Sequence, residues 1–181
     1  MPTYVALLRG INLGARNRVA MADLRAALTG LGYDDVRTYL QSGNAVFGAK
    51  ARSASAVRTE VENGLRAALG MELTVLVRTP GQLAKVIAAD PFGHRADGEE
   101  QLKRYYVYFA ERPVPAAAFA DVDSAALAPE KLAVLGSEVY TWMPAGLHTS
   151  KVAGLVTDRK RGLLTTARNW RTVRALHALT T

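Results

Sequence analysis

The chain has 181 residues, of which 49% are hydrophobic, and carries a formal net charge of +7. This length and apolar content suit one domain or two small subdomains with a buried core. The absence of cysteine excludes disulfides, thiolate metal sites and a catalytic cysteine, and is typical of a protein from a reducing cytoplasm. The first apolar run stops at Arg9, too early for a signal peptide or a membrane helix. We therefore expect a soluble, cytoplasmic protein with no membrane partner.

The positive charge is concentrated near the two ends of the sequence. Residues 1–25 hold four arginines against one aspartate, and residues 151–181 hold seven lysines and arginines against one aspartate. Such an excess is typical of proteins that bind nucleic acid or phosphates, but it also serves solubility alone. Charge therefore leaves both interpretations open.

The first half of the sequence alternates strand patterns and helix patterns. The predicted elements are, in chain order, strand 3–9, helix 21–31, strands 35–40 and 45–48, helix 53–69, strand 73–77 and helix 81–89. The two adjacent strands form a hairpin around Gln41-Ser42-Gly43-Asn44, where Gly43 and Asn44 tolerate the positive φ of a tight turn. The order βαββαβ predicts a ferredoxin-like first subdomain over residues 1–89.

A polar connection at 90–102 leads to a second subdomain at 103–181, in which the pattern restarts. Its predicted elements are strand 104–110, short helical pieces in an alanine-rich region, a hairpin over 131–142 that turns at Gly136-Ser137, and helices 150–160 and 167–179. The similarity of pattern to the first half indicates an internal duplication. The predicted fold class is α+β, with two ferredoxin-like subdomains of βαββαβ type. The second lacks its last strand and is closed by the C-terminal helices.

Two polar loops are predicted to meet at one edge of the first sheet. In a ferredoxin-like sheet the first and third strands are antiparallel neighbours, so the end of the first lies beside the start of the third. Glycines there let an anion approach backbone N–H groups, amides can hydrogen-bond a ligand's polar edges, and arginines add positive charge. The predicted ligand-binding residues are Arg9, Gly10, Asn12, Arg16, Arg18, Gln41, Ser42 and Asn44.

The same loop residues also have a purely structural interpretation. The glycines can serve the turns, Asn12 and Asn44 can cap the backbone, and the arginines can be solvated. A G-x-x-x-G loop without the Walker lysine and serine is a weak phosphate signal. The sequence leaves both interpretations open.

The C-terminal segment TTARNWRTVRALHAL predicts a helix with a core face and an arginine stripe. Thr165 or Thr166 is the expected N-cap, and Trp170 is expected in the core. The arginines recur at a spacing of three, and contacts with a nucleic-acid backbone are predicted for Arg168 and Arg171. A solvated charged face is the alternative.

No catalytic residue, cofactor or metal site is predicted. The three histidines are far apart in sequence, and there is no nucleophile elbow, P-loop or dinucleotide fingerprint. Ser150 is predicted to cap the helix at 150–160. The helix dipole disfavours Lys151 in the first turn, which indicates either a nearby anionic ligand or a charge left in solvent.

Three motifs, in this order, carry a family resemblance: LLRGINLG, TYLQSGNAVF and TTARNWRTV. Over about residues 3–178 the chain resembles the bacterial family of uncharacterised proteins known as domain of unknown function 1697. The resemblance implies an α+β protein of two ferredoxin-like subdomains, and it implies no activity. Members of that family more often have glycine where this chain has Ala15, a difference that stiffens the loop and weakens the phosphate interpretation.

The leading hypothesis is a non-enzymatic binding module for an anionic ligand, a nucleotide or nucleic acid, at loops 9–18 and 41–44. An enzyme acting on a phosphorylated small molecule is an alternative, with Ser42 or Lys151 as the only obvious participants. A protein-interaction module without a small-molecule ligand is the third possibility.

Overall fold

The computed structural model describes residues 1–15, 17–93, 98–157 and 159–181. The chain divides into two compact units, the first made of Met1–Lys85 with Leu176–Thr181 and the second of Val86–Ala175. Each unit contains a four-stranded antiparallel sheet with helices. The predicted α+β class is confirmed.

The first unit follows the predicted element order. Its elements are β1 (Thr3–Leu8), α1 (Met21–Gly30), β2 (Asp34–Thr38), β3 (Asn44–Gly48), α2 (Ala54–Leu69) and β4 (Val75–Arg78), with α3 (Pro80–Ala89) running on into the second unit. The strand order is β2-β3-β1-β4, and every neighbouring pair is antiparallel. This is the ferredoxin-like arrangement that the sequence predicted.

Helix α2 shows why the local sequence forms this structure. The hydroxyl of Ser53 accepts a hydrogen bond from the N–H of Ala56 at 3.2 Å, which caps the N-terminus. Gly70 ends the helix in the left-handed conformation. Between them, Val57, Val61 and Leu65 recur every fourth residue and are fully buried.

The core of the first unit lies between one face of its sheet and helices α1 and α2. The sheet contributes alternate residues of β1, β3 and β4, as the period of two requires. The core includes Tyr4, Ala6 and Leu8 of β1, Ala45 and Phe47 of β3, Val75 and Val77 of β4, Leu24 and Leu28 of α1, and the three buried residues of α2.

The register of the first sheet brings three strand ends together. Leu7 at the end of β1 pairs with Asn44 at the start of β3, and Leu8 pairs with Val75 at the start of β4. The connections that leave β1 and enter β3 therefore share one edge of the sheet.

The second unit has the same strand order as the first. Its elements are α4 (Glu99–Leu102), β5 (Tyr105–Ala110), α5 (Ser124–Leu127), β6 (Lys131–Leu135), β7 (Glu138–Trp142), α6 (Lys151–Thr157), β8 (Thr165–Asn169) and the start of α7 (Trp170–Ala178). The sheet order is β6-β7-β5-β8. The two sheets thus have equivalent topologies, which the predicted internal duplication requires.

The prediction that the second subdomain lacks its last strand is wrong. Residues Thr165–Asn169 form β8, which pairs antiparallel with β5 along five residues. The predicted caps Thr165 and Thr166 are strand residues, and the helix begins at Trp170 instead. Its cap is Asn169, whose Oδ1 accepts from the N–H and the hydroxyl of Thr172 at 2.9 and 2.8 Å.

None of the helices among the described residues has both the length and the apolar content of a membrane-spanning helix.

Candidate ligand-binding loops

Two connections at the shared edge of the first sheet form the surface that we call the paired loops, residues 9–15 and 17–20 after β1 and residues 39–43 before β3. The backbone joins them to the sheet directly. The N–H of Leu8 donates to the carbonyl of Gly43 at 2.8 Å, and that of Arg9 donates to the carbonyl of Thr74 at 2.9 Å. The predicted convergence of the two loops is therefore present.

Asn12 ties the two loops together. Its Nδ2 donates to the carbonyl of Gln41 at 2.7 Å and to that of Val19 at 2.9 Å, and its Oδ1 accepts from the Val19 N–H at 2.9 Å. The bond to Gln41 joins residues that are 29 positions apart in sequence. The amide of Asn12 is thus engaged with backbone, which is the structural role that the alternative interpretation assigned to it.

Asn44 has a similar structural role at the hairpin. It is fully buried, and its Nδ2 donates to the carbonyl of Tyr39 at 2.7 Å and to the hydroxyl of Ser42 at 3.0 Å. Because it is buried, Asn44 takes no part in the exposed surface of the paired loops. The sequence predicted that the amides of Asn12 and Asn44 face a ligand, but in the structure both amides form hydrogen bonds within the loops.

A glycine is required at position 43, where the second loop contacts Ile11 of the first loop. Its φ is +78°, and a Cβ at this position would lie 2.6 Å from Cδ1 of Ile11 and 2.8 Å from Cβ of Leu8. Ile11 is itself buried, so it cannot easily move aside. The close approach explains why a residue without a side chain occupies this position.

The remaining predicted residues of the loops form an exposed surface. Arg9, Gly10, Arg18, Gln41 and Ser42 are all exposed. The Nε of Arg18 lies 3.4 Å from the carbonyl of Gly14. Among the described residues other than their chain neighbours, no atom comes within 4 Å of the positions that a Cβ would take on Gly10 and Gly14. The predicted residue Arg16 lies outside the described residues.

Helix α1 begins directly after the first loop and adds a partial positive charge. Its N-cap is Ala20, which offers no side-chain acceptor to the first turn. The N-terminal N–H groups of a helix have no partner within the helix, and the helix dipole favours negative charge at that end. Asp23 in the first turn supplies one negative charge at this end of the helix.

Two leucines of the paired loops were not singled out in the sequence. Leu13 is 74% exposed, and Leu40 is 55% exposed with a φ of 58°. The predicted strand 35–40 ends at Leu40, but β2 ends at Thr38. The position of Leu13 between Asn12 and Gly14 could have indicated that this leucine is exposed. Nothing in the sequence indicated the same for Leu40.

The predicted arginine stripe near the C-terminus is wrong, because Arg168 belongs to β8 and not to α7. Arg168 is only 6% exposed, and its Nη1 donates to the Thr166 hydroxyl at 2.9 Å and to the Ala167 carbonyl at 2.7 Å. Burial lowers the pKa of Arg168 to about 10, so the group stays charged at neutral pH. A side chain so deeply buried is not available to a nucleic-acid backbone.

Arg171 does lie on the exposed face of α7. Its Nη1 is 3.3 Å from the carboxylate of Glu99, and its side chain is half exposed. An exposed ion pair of this kind contributes little to stability.

The anion beside Lys151 is part of the protein itself. The carboxylate of Glu130 accepts from the N–H groups of Lys151 and Val152 at 3.3 and 2.9 Å and from the hydroxyl of Ser150 at 3.0 Å. Ser150 caps α6 as predicted, since its Oγ accepts from the N–H of Ala153 at 3.0 Å. The Glu130 carboxylate thus supplies the negative charge beside Lys151 at the N-terminus of α6.

Among the residues that the structure describes, no three histidine, aspartate or glutamate side chains form a group able to hold a metal ion.

Comparison with known proteins places the chain in a family. The family model described as "Protein of unknown function (DUF1697)" matches residues 1–140. No curated protein is similar in sequence. A solved structure, that of the conserved bacterial protein SP0830 from Streptococcus pneumoniae, has 23% sequence identity and a TM-score of 0.74. The match covers 99% of this chain and 98% of that one, and it shows that the two share a fold. The chain therefore belongs to the DUF1697 family of proteins of unknown function.

Proposed function

We propose that the protein is a binding module for a phosphate-bearing anion, a nucleotide or a nucleic acid, and that the paired loops hold this ligand. The observation that carries the proposal is the placement of two exposed arginines, Arg9 and Arg18, in the same loop as Gly10 and Gly14, whose backbone no other described residue crowds. Guanidinium groups bind phosphate through two parallel hydrogen bonds, and open backbone lets an anion come close to N–H groups.

The loops are held in place before a ligand arrives. Asn12 bridges the two loops, Asn44 braces the hairpin, and Gly43 packs against Ile11. A site whose backbone is already fixed loses less conformational entropy on binding. The bracing amides are therefore compatible with a ligand whose contacts are made by the arginines and by the exposed Gln41 and Ser42.

The test is the salt dependence of binding to a fluorescein-labelled oligothymidylate, followed by fluorescence anisotropy. The Arg9→Ala/Arg18→Ala variant should bind more weakly. Each lost contact with a single strand removes about 0.7 from the slope of log affinity against log salt, so the slope should flatten by about 1.4. Competition with inorganic polyphosphate should displace the probe from the parent protein.

A matched control removes the same charge at another part of the first unit. Arg37 and Lys50 are both exposed, and Lys50 follows β3 at the edge of the sheet opposite the paired loops. The Arg37→Ala/Lys50→Ala variant should keep the affinity and slope of the parent. Equal losses in the two variants would mean that net charge alone attracts the probe, and the proposal would fail.

A further inference from the structure

Two apolar side chains stand exposed among the charges of the paired loops. Leu13 follows Asn12, Leu40 precedes Gln41, and the Asn12 amide is bonded to the Gln41 carbonyl at 2.7 Å. The leucines therefore flank the bond that joins the loops. With exposures of 74% and 55%, neither contributes much to the core.

Leu40 also occupies an unfavourable backbone conformation. Its φ of 58° is one that glycine or asparagine adopts readily and a bulky residue rarely does. A leucine at this position therefore introduces backbone strain, and its partial burial contributes little to the stability of the fold. Strain of this kind at an exposed position points to a use for the side chain outside the fold.

The surface combines three kinds of group that a single strand of nucleic acid satisfies together. Phosphates pair with Arg9 and Arg18, base edges offer donors and acceptors to Gln41 and Ser42, and the faces of unstacked bases cover apolar surface. A duplex keeps its base faces stacked, and inorganic polyphosphate has none. Either ligand would leave the leucines in water.

A membrane surface fits the same groups less well. Insertion of Leu13 and Leu40 into lipid would carry the neighbouring Gln41 and Ser42 towards a medium that cannot hydrogen-bond them. The polar residues next to Leu40 therefore favour a ligand that is itself both apolar and polar.

We infer that the ligand of the paired loops is single-stranded nucleic acid, with its phosphates on Arg9 and Arg18 and its bases against Leu13 and Leu40. This inference rests on the proposed function of the same surface. It adds a role for the leucines, and it specifies the form of the nucleic acid.

The experiment uses the full chain carrying Leu13→Ala and Leu40→Gly. Glycine relieves the strained φ at position 40, so the variant should fold at least as well as the parent, which thermal unfolding checks. The probes are a labelled single-stranded oligonucleotide, the same sequence as a duplex, inorganic polyphosphate as a competitor, and vesicles of phosphatidylcholine with phosphatidylglycerol. Leu135→Ala, at a leucine that is 43% exposed on β6, is the matched control.

The leucine variant should bind the single strand about tenfold more weakly with an unchanged salt slope, because base contacts are lost and phosphate contacts are kept. Its affinity for the duplex and for polyphosphate should match that of the parent, and the Leu135 variant should behave as the parent throughout.

Other outcomes separate the two proposals. Unchanged single-strand binding by the leucine variant, together with a loss in the Arg9/Arg18 variant, would overturn the role of the leucines and leave the proposed function standing. A parent protein that binds neither the oligonucleotide nor polyphosphate would overturn both. Leucine-dependent binding to the vesicles alone would replace nucleic acid with a membrane surface.

Discussion

Among the glycines of the paired loops, Gly43 leaves the least space for a side chain. We expect Gly43→Ala to cost about 2 to 4 kcal/mol, because alanine at a φ of +78° is strained and its Cβ would press on Ile11 and Leu8. The control is Gly14→Ala, where φ is +70° but no other described residue lies within 4 Å of the added Cβ, so backbone strain alone should cost about 1 kcal/mol. Urea unfolding measures both values. Equal costs would show that the contact with Ile11 contributes nothing.

At the same scale, the sequence predicted where the loop residues meet but not what their amides do. The strand order placed Asn12 and Gln41 at one edge, and they are hydrogen-bonded there. The partners of the Asn12 and Asn44 amides include backbone carbonyls of both loops, whose positions depend on how the loops fold. A single sequence therefore cannot distinguish an amide that reads a ligand from one that braces a turn.

Among the elements, helix α7 packs on the second sheet through its first residue. The ring of Trp170 stacks on that of Tyr105 in β5, with centroids 4.4 Å apart and planes 2° from parallel. Trp170 is buried, as predicted, so Trp170→Ala should cost about 3 to 5 kcal/mol of unfolding free energy. Arg174→Ala on the exposed side of the same helix should leave stability within about 0.5 kcal/mol of the parent. Far-ultraviolet circular dichroism in urea distinguishes these cases, and an equally stable Trp170 variant would contradict a core role.

Strand β8 explains the main error in the predicted elements. The helical spacing of Trp170, Val173 and Leu176 is real, but the predicted helix 167–179 extends this pattern backwards into residues of β8. The adjacent β-branched residues Thr165 and Thr166 were the available strand signal. These residues form a strand because they pair with β5, which lies more than fifty residues away in sequence. The local periodicity of a sequence contains no information about so distant a partner. By contrast, the hairpins and α2 carry their turn and cap residues within the local sequence, and they were predicted correctly.

For the whole molecule, buried tyrosines predict a loss of stability at alkaline pH. Burial raises the pKa of Tyr33 in the first unit and of Tyr105, Tyr108 and Tyr140 in the second, that of Tyr108 to about 12. Hydrogen bonds to Glu60 and Asp90 raise the pKa of Tyr33 and Tyr105 further. An unfolded tyrosine ionises near pH 10, so above about pH 10 the unfolded chain releases protons that the folded chain keeps.

Stability should therefore be unaffected by these groups below about pH 9 and should fall as the pH rises through 10 and 11. Each tyrosine that stays protonated only in the folded state adds up to about 1.4 kcal/mol per pH unit to the decline. Urea unfolding at a series of pH values gives the slope, and tyrosinate absorbance reports ionisation directly. Tyr108→Phe removes one titrating group without removing the ring, so its stability should decline less steeply than that of the parent. A parent whose stability is flat between about pH 9 and pH 11 would mean that the phenols ionise in the folded state as they do in the unfolded chain.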